Sequence, residues 1–325
     1  MRTEIRSLTE QDLDAAARLL AERHRADRSR TPALPSHFDD PAAVRPQIVT
    51  EFERPLARGV AAMRGDELVG FLIGTVSWPP PGAWYAGYGP RRSGEVAYAG
   101  YAAAGPEPRE TYREMYAALA PFFIEYGAFT HGIELNAGDP TATDAWFSLG
   151  FGQVTTLAVR DTVPVATTDA ATPGGIEFHR AAPEEIEVVM TLGDHLDRHH
   201  NSPPIYLPYL PEESNPGFRV YLQELLAKPE NAHWIAERGG QPIGMQTFHE
   251  QDFAEMARPG RSVYLFVGVT TPDARGGGLG TAILRHSMQW ARDEGYERCT
   301  LHFLSANIAA ARFWLRSGFQ PLTQR

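Results

Sequence analysis

The feature that most constrains this chain is that it repeats itself. The segment "AWFSLGF" (Ala145 to Phe151) returns as "FWLRSGF" (Phe313 to Phe319), and "PEPR" (Pro106 to Arg109) returns as "PDAR" (Pro272 to Arg275). Gly150 and Gly318 lie 168 residues apart and Arg109 and Arg275 lie 166 apart, so the offset drifts by only two residues. Ordered matches at a near-constant offset are the mark of a duplicated domain. Each copy must then bury its own core within about 150 residues, an ordinary domain size.

Both copies open and continue alike. "TEIRSLTEQDLDAAARLL" predicts a strand around Ile5. Thr9 then caps a helix whose Leu13, Ala16, Ala17 and Leu20 share one face. "GIEFHRAAPEEIEVVMTL" predicts a strand around Phe178 and a helix starting at Pro183, with Ile186, Val189 and Met190 on its apolar side. Gly65-Asp66 and Gly239-Gly240 each separate two apolar runs, the signal of a hairpin. Each half therefore predicts the order strand, helix, hairpin, strand, helix, strand, helix. The fold class is α/β, a mixed and mostly antiparallel sheet flanked by helices, built twice. "DTVPVATTDAATPGG", rich in Thr, Ala, Pro and Gly without period, supplies the boundary: domains at 1–160 and 175–325 with a linker at 161–174.

Composition removes several classes of function. Asp and Glu number 40 against 30 Lys and Arg, a formal charge of −10. Such a chain is a poor general binder of nucleic acid or anionic membrane, and weakly favours a cationic substrate. Cys299 is the only cysteine, which excludes an internal disulfide and any multi-cysteine zinc or iron–sulfur site. No apolar run approaches the roughly 18 residues of a membrane span. "MRTEIRSLTEQDLDAAARLL" is charged throughout and lacks an apolar signal core, so a cytoplasmic location is expected.

The most informative stretch is "SVYLFVGVTTPDARGGGLGTAILRHSMQWARDEG". A β-rich run from Val263 to Val269 turns through Thr270 to Ala274 into "RGGGLG", Arg275 to Gly280. A helix follows with Ile283, Leu284, Met288 and Ala291 on one face, closed by Gly295. Glycines between a strand and a helix let backbone amides approach a ligand. The free N–H groups of the first helical turn then favour phosphate or pyrophosphate. Two common phosphate motifs fail on spacing. No lysine follows as a P-loop requires, and in a G-x-G-x-x-G frame the third glycine falls on Thr281 or Ile283.

"RGGGLG" resembles the R-x-x-G-x-G/A signature of the GNAT family of N-acetyltransferases, with Arg275, Gly278 and Gly280 in the defining places. "LHFLSANIAAARFWLRSGFQPL" is similar to that family's second motif, matching at Asn307, Ala310, Phe313, Gly318 and Phe319. The resemblance covers the whole second half and implies two tandem GNAT-like domains, with acetyl-CoA as co-substrate and no metal. It implies that amides of Arg275, Gly276, Gly277, Gly278, Leu279, Gly280 and Thr281 hold the pyrophosphate. Val267, Gly268 and Val269 would run along the pantetheine, with Asn307 beside it. Asn307 also suits a plain helix N-cap.

Aligned on Arg109, the first half has "RETYRE" in place of "RGGGLG". Thr111, Tyr112 and Glu114 stand in the glycine region, and Asp139 stands for Asn307. Side chains there obstruct close backbone approach, and Glu110 and Glu114 would repel a pyrophosphate. The first half is thus expected to be a degenerate copy that packs against the active one and shapes the acceptor site.

Acyl transfer to an amine calls for a base. His302, five residues before Asn307, is the candidate, since some members of the family look to place a catalytic Glu there and an imidazole suits base chemistry near neutrality. Trp314 departs from the Tyr that often protonates the leaving thiol in this family, because indole cannot serve as an acid. Trp146 at the same place in the first half favours packing for both. "GDHLDRHHNSPPIYLPYLPEE" gathers His195, His199, His200, Tyr206 and Tyr209 where the family's acceptor site is bordered, and lacks H-E-x-x-H metal spacing. "WPPPGAWYAGYGPRRSGE" (Trp78 to Glu95) is the aromatic loop of the first half, placed either in the interdomain cleft or over an edge. The resulting expectation is an acetyl-CoA-dependent N-acetyltransferase acting on a small-molecule amine by direct attack in a ternary complex, as a monomer or homodimer. The alternatives are a non-catalytic acyl-CoA-binding or regulatory protein, and an acyltransferase using another acyl-CoA or a hydroxyl acceptor.

Overall fold

A computed structural model describes residues 3–80, 82–85, 89–163, 174–207 and 211–325, with only the backbone of 211–215. The linker interior at 164–173 and Tyr209 lie outside the described residues. In the first half, β1 (Glu4–Ser7) leads to α1 (Leu13–Arg30). The Asp12 carboxylate accepts from the Thr9 amide and hydroxyl at 2.9 and 2.8 Å, and takes two hydrogen bonds from Arg6 at 2.7 and 2.8 Å. The Arg6 guanidinium holds the Asp12 pKa down at about 2. Leu13, Ala16, Ala17 and Leu20 form the buried face, as the 3.6-residue period requires.

There follow α2 (Pro41–Phe52), the hairpin of β2 (Ala57–Arg64) and β3 (Glu67–Ser77), β4 (Ser93–Val96) and β5 (Tyr101–Ala103). The half ends with α3 (Pro108–Glu125), β6 (Thr130–Ile133), β7 (Leu135–Asn136), α4 (Pro140–Ser148) and β8 (Thr155–Asp161). The second half repeats the plan with β9 (Ile176–Arg180), α5 (Ile186–His200), α6 (Pro211–Leu226), the hairpin of β10 (Ala232–Arg238) and β11 (Gln241–Glu250), and β12 (Ser262–Thr270). It closes with α7 (Leu279–Asp293), β13 (Arg298–Leu304), α8 (Ile308–Arg316) and β14 (Gln320–Gln324).

Three features differ from the linear expectation. Each half has a second helix before its hairpin, α2 or α6, and each of these carries an internal proline, Pro46 or Pro216, that interrupts the sequence signal. Each half also ends on a strand. Finally, α5 runs to His200, so His195, His199 and His200 are helical rather than part of a loop after the helix.

The sheets follow the order β1-β2-β3-β4-β6, with β5 on β3, and β7-β14-β8-β13-β12-β11-β10-β9. The two last strands have changed places. β8 of the first half lies antiparallel between β13 and β14 of the second, from Arg298↔Asp161 to Leu304↔Thr155 on one side. β14 in turn pairs with β7, Thr323 opposite Asn136. Thr156 to Arg160 are buried without interruption, the pattern of a strand covered on both faces. Leu157, Val159 and Leu322 share one buried cluster with Leu34 and Ala257, so chain from both halves meets in a single core.

Burying Leu157 and Val159 is worth roughly 1.5–3 kcal/mol each, and the ladder bonds of β13 and β14 depend on the same strand. A fragment of residues 174–325 is therefore expected to aggregate or stay molten by size exclusion and circular dichroism. Co-expression with residues 1–163 should restore a folded one-to-one complex. A monodisperse, cooperatively melting 174–325 would show that β8 is dispensable.

Candidate active site

β12 parts from its neighbour halfway along. It pairs with β11 down to Gly244↔Thr270, but with β13 only from Ser262↔Arg298 to Leu265↔Leu301. On its other edge β13 stays paired with β8 from Arg298 to Leu304. The strands separate at a bulge: Thr247 faces Val267 and Phe248 faces Leu265, which leaves Phe266 as the extra residue. The Thr247 hydroxyl accepts from the Val267 amide at 3.1 Å and so holds the bulge in shape. Beyond it, no strand among the described residues pairs with the β13-side edge of Phe266 to Thr270.

The mouth of this opening is set by the glycine loop. Gly276 and Gly278 have φ of 81° and 82°, left-handed values that a side chain resists, and Gly278 is the N-cap of α7. The amides of Leu279, Gly280 and Thr281 are in the first turn and have no partner within the helix. A Cβ on Gly280 would stand 3.3 Å from the Phe313 ring, so α7 and α8 meet closely there. The result is a cleft of about 430 Å³ whose lining includes Gly268, Arg275, Gly278, Asn307 and Trp314.

Of the residues expected to hold the coenzyme, Gly268, Val269, Arg275, Gly276, Gly278, Leu279, Gly280, Thr281 and Asn307 line this cleft. Gly277 is exposed beside it, and the Val267 side chain is buried in the apolar cluster under α5 and α6. Asn307 caps α8, accepting from the Ala310 amide at 3.1 Å. It also meets both histidines at the end of α5: His199 Nε2 donates to its Oδ1, and its Nδ2 donates to His200 Nε2, each at 3.4 Å. Burial, and then the neighbouring His199, push the His200 pKa down to about 4, so that its ring is neutral and can accept. Trp314 is buried, with its ring 3.2 Å from where a Gly268 Cβ would be, which makes it the floor under the opening.

His302 does not line the cleft. It is the first residue of β13 past the last β12 pair, as Phe266 is on β12, so the two stand where the strands part. Its Nδ1 lies 3.0 Å from the Tyr264 hydroxyl. Its edge is exposed, yet the ring packs among β8, β12 and Phe253. This partial desolvation, with the Arg325 charge second, pushes its pKa down to about 4. Sequence reasoning missed Gln246, which lines the cleft from β11, is 3% exposed and leaves its Oε1 without a partner. A polar residue on the buried face of the strand "PIGMQTF" was the available signal.

In the first half the corresponding place is filled. α3 begins at Pro108, so Arg109 to Arg113 are helical where the second half has its glycine loop. Arg109 is tied to Glu110 and to Asp144. Tyr101 pairs with Leu72, the sixth residue of β3, as Gly268 pairs with Gln246, the sixth of β11. The strand is broken between β4 and β5. Arg23 of α1 donates into the break, to the carbonyls of Tyr98 and Tyr101, and stacks on both rings at 4.5 and 3.9 Å. Asp139 caps α4 as Asn307 caps α8.

Residues 201–319 match the profile of the acetyltransferase (GNAT) family. Rat N-acetyltransferase 8B is 32% identical over 91 residues, 28% of this chain and 40% of the relative. An uncharacterized N-acetyltransferase of Bacillus subtilis, YobR, is 34% identical over 56 residues, 17% of this chain and 23% of that protein. The chain thus aligns with less than half the length of these curated relatives. Two solved structures share the fold over 99% of the chain. They are a GCN5-related N-acetyltransferase from Sphaerobacter thermophilus (TM-score 0.62, 14% identity, 94% of that protein) and a tandem GNAT protein from the clavulanic acid biosynthesis pathway (0.52, 13%, 96%). The architecture is that of a tandem GNAT protein. Residues 201–319, which hold the glycine loop and the Asn307 segment, carry a GNAT-family domain.

The contacts of His200 give a pH dependence. Its folded pKa lies below the unfolded value near 6.5, so the unfolded chain binds the extra proton between the two. Stability should therefore fall by up to roughly 1 kcal/mol per pH unit on its account as pH drops from about 6.5 towards 4. His200→Gln should flatten that slope in urea melts at several pH values. An unchanged slope would mean that His200 is not held neutral by the fold.

Proposed function

We propose that the second half transfers an acetyl group from acetyl-CoA to the amine of a small molecule. The observation that carries this reading is the parting of β12 from β13 with a glycine-capped helix at its mouth. The free edge of Val267 to Val269 suits the pantetheine amides. The amides from Arg275 to Thr281, the Arg275 charge and the N-terminal dipole of α7 suit the pyrophosphate. Asn307 closes the pantetheine side. The first half, whose break is filled by Arg23 and Tyr101, serves as scaffold, and the domain division falls at 161–174. The protein acts where acetyl-CoA is plentiful, in the cytoplasm.

Attack is direct, with amine and thioester bound together. His302, neutral above pH 4, takes the ammonium proton directly or through water. Because Trp314 cannot donate to the departing sulfur, the coenzyme leaves as thiolate or is protonated by water, which a thiol pKa near 8.5 permits. The same tryptophan favours a second reading, a protein that binds acyl-CoA without turnover.

Gly278→Glu puts a side chain on a left-handed residue and a negative charge at the helix N-terminus. Acetyl-CoA affinity measured by calorimetry should fall at least a hundredfold while the fold persists, and retained affinity would remove the loop from the site. His302→Ala should lower kcat by about 10² without changing the acetyl-CoA Kd, and should abolish an acid limb lying near pH 4 rather than 6.5. An unchanged rate and profile would clear His302 of the base role.

A further inference from the structure

A continuous row of rings covers the α5/α6 face of the second sheet. From His302 the ring centroids step to Tyr264 at 5.7 Å, His249 at 5.2 Å, Phe266 at 5.5 Å and Tyr221 at 5.7 Å, and end on Trp84, stacked on Tyr221 at 4.8 Å and 11°. Tyr264 and His249 are buried and form the floor. Phe266, Tyr221 and Trp84 are half-buried, and His302 is exposed. The row begins where β12 and β13 part and ends on a residue of the other half.

Trp84 is seated there by a contact that only glycine allows. Gly217 of α6 lies so close to the Gly82 carbonyl that a Cβ would fall 2.2 Å from the oxygen. The first-half loop is thereby pressed on to α6, with Trp84 edge-on to Phe266 at 5.6 Å. Some polar atoms along the row are committed, while the buried His249 Nε2 has no partner. His249 Nδ1 bonds the Glu250 carbonyl, and Gln251 bonds both the Phe253 carbonyl and the Thr300 hydroxyl. The row offers a sugar mostly ring faces, with few hydrogen-bonding groups for its several hydroxyls. Two exposed carboxylates border the row: Asp252 acts on Tyr264, His249 and Tyr221, and Glu224 acts on Tyr221, and either suits an ammonium.

We propose that the acceptor is a primary amine carried on an aromatic ring, and that Trp84 of the first half, with Tyr221 and Phe266, determines this specificity. The inference rests on the acyl-transfer reading above. The ring lies along the row with its amine towards His302. His302 takes one proton from the ammonium, and the neutral nitrogen forms its bond to the acetyl carbon as the carbon–sulfur bond breaks. The nitrogen's second proton passes to water and the coenzyme leaves as thiolate. Asp252 at the rim draws in the cation without taking part in these steps.

The test titrates 2-phenylethylamine, spermidine and glucosamine into the protein saturated with coenzyme A. It then follows thiol release from acetyl-CoA with the same amines. Phenylethylamine should bind at least tenfold tighter than the other two. Trp84→Ala should weaken it about tenfold, as loss of a stacked ring does, Trp84→Phe should restore most of it, and acetyl-CoA affinity should be unchanged in both variants. No heat from phenylethylamine, equal or better binding of spermidine or glucosamine, or indifference to Trp84→Ala would overturn the proposal. Ring-selective binding with no thiol release would sink the transferase reading and leave the aromatic site standing.

Discussion

β13 is paired along its whole length on one side and along only half of it on the other, and the site depends on that asymmetry. A strand that leaves a neighbour inside a sheet exposes backbone donors and acceptors, which costs free energy unless something satisfies them. β8 pairs the other edge of β13 from Arg298 to Leu304, which anchors that strand and leaves its β12-facing edge open beyond Leu301. On the β11-facing edge of β12 the Thr247 hydroxyl takes the Val267 amide at the bulge, while the β13-facing edge from Phe266 onward is left open. The strand that holds β13 on its far edge comes from the first half, so the sheet that carries the opening is built from both halves.

The two copies show how one frame either keeps or loses such an opening. In the second half a glycine, Gly268, leaves room for the Trp314 ring beneath it, and left-handed glycines delay the start of α7. In the first half a tyrosine stands at the corresponding register position, α3 starts at Pro108, and Arg23 hydrogen-bonds the broken strand's carbonyls. Asp27, buried beneath, accepts from the Tyr98 hydroxyl at 3.0 Å and faces Arg23, and burial raises its pKa to about 6. A guanidinium and two tyrosines occupy what would be ligand space. Such a buried cluster is stable only because its charges are paired and its carbonyls accept. The filling is therefore built from the chain's own groups.

Much of this was legible in the sequence, for identifiable reasons. The hairpins at Gly65 and Gly239, the apolar face of α1 and the strand–glycine–helix run from Val263 to Asp293 are local signals, in which period and turn chemistry act over a few residues. α2 and α6 were not legible, since Pro46 and Pro216 break the helical signal at its centre. The exchange of β8 and β14 could not be read either. A strand's own residues state that it is buried on both faces, but not which sheet buries it. The same limit applies to Gln246 and Arg23. Their identities are plain in the sequence, while their roles arise only when register and packing place them against an opening or a break.

The position of the first-half loop follows from the same geometry. With β8 fixed between β13 and β14, the first half cannot drift from the second, so a loop leaving β3 can be held against α6 at van der Waals distance. The Gly82–Gly217 contact needs that constancy, because a gap of an ångström would release it. Aromatic side chains suit such a junction, since they bury a large area with only two rotatable bonds each to fix. Under the proposed reading the acceptor wall is carried by a second folded body that shares the sheet, with Trp84 held against Tyr221 and Phe266 at one end of the ring row and His302 on β13 at the other. That placement gives a physical reason to keep a copy whose own opening is filled.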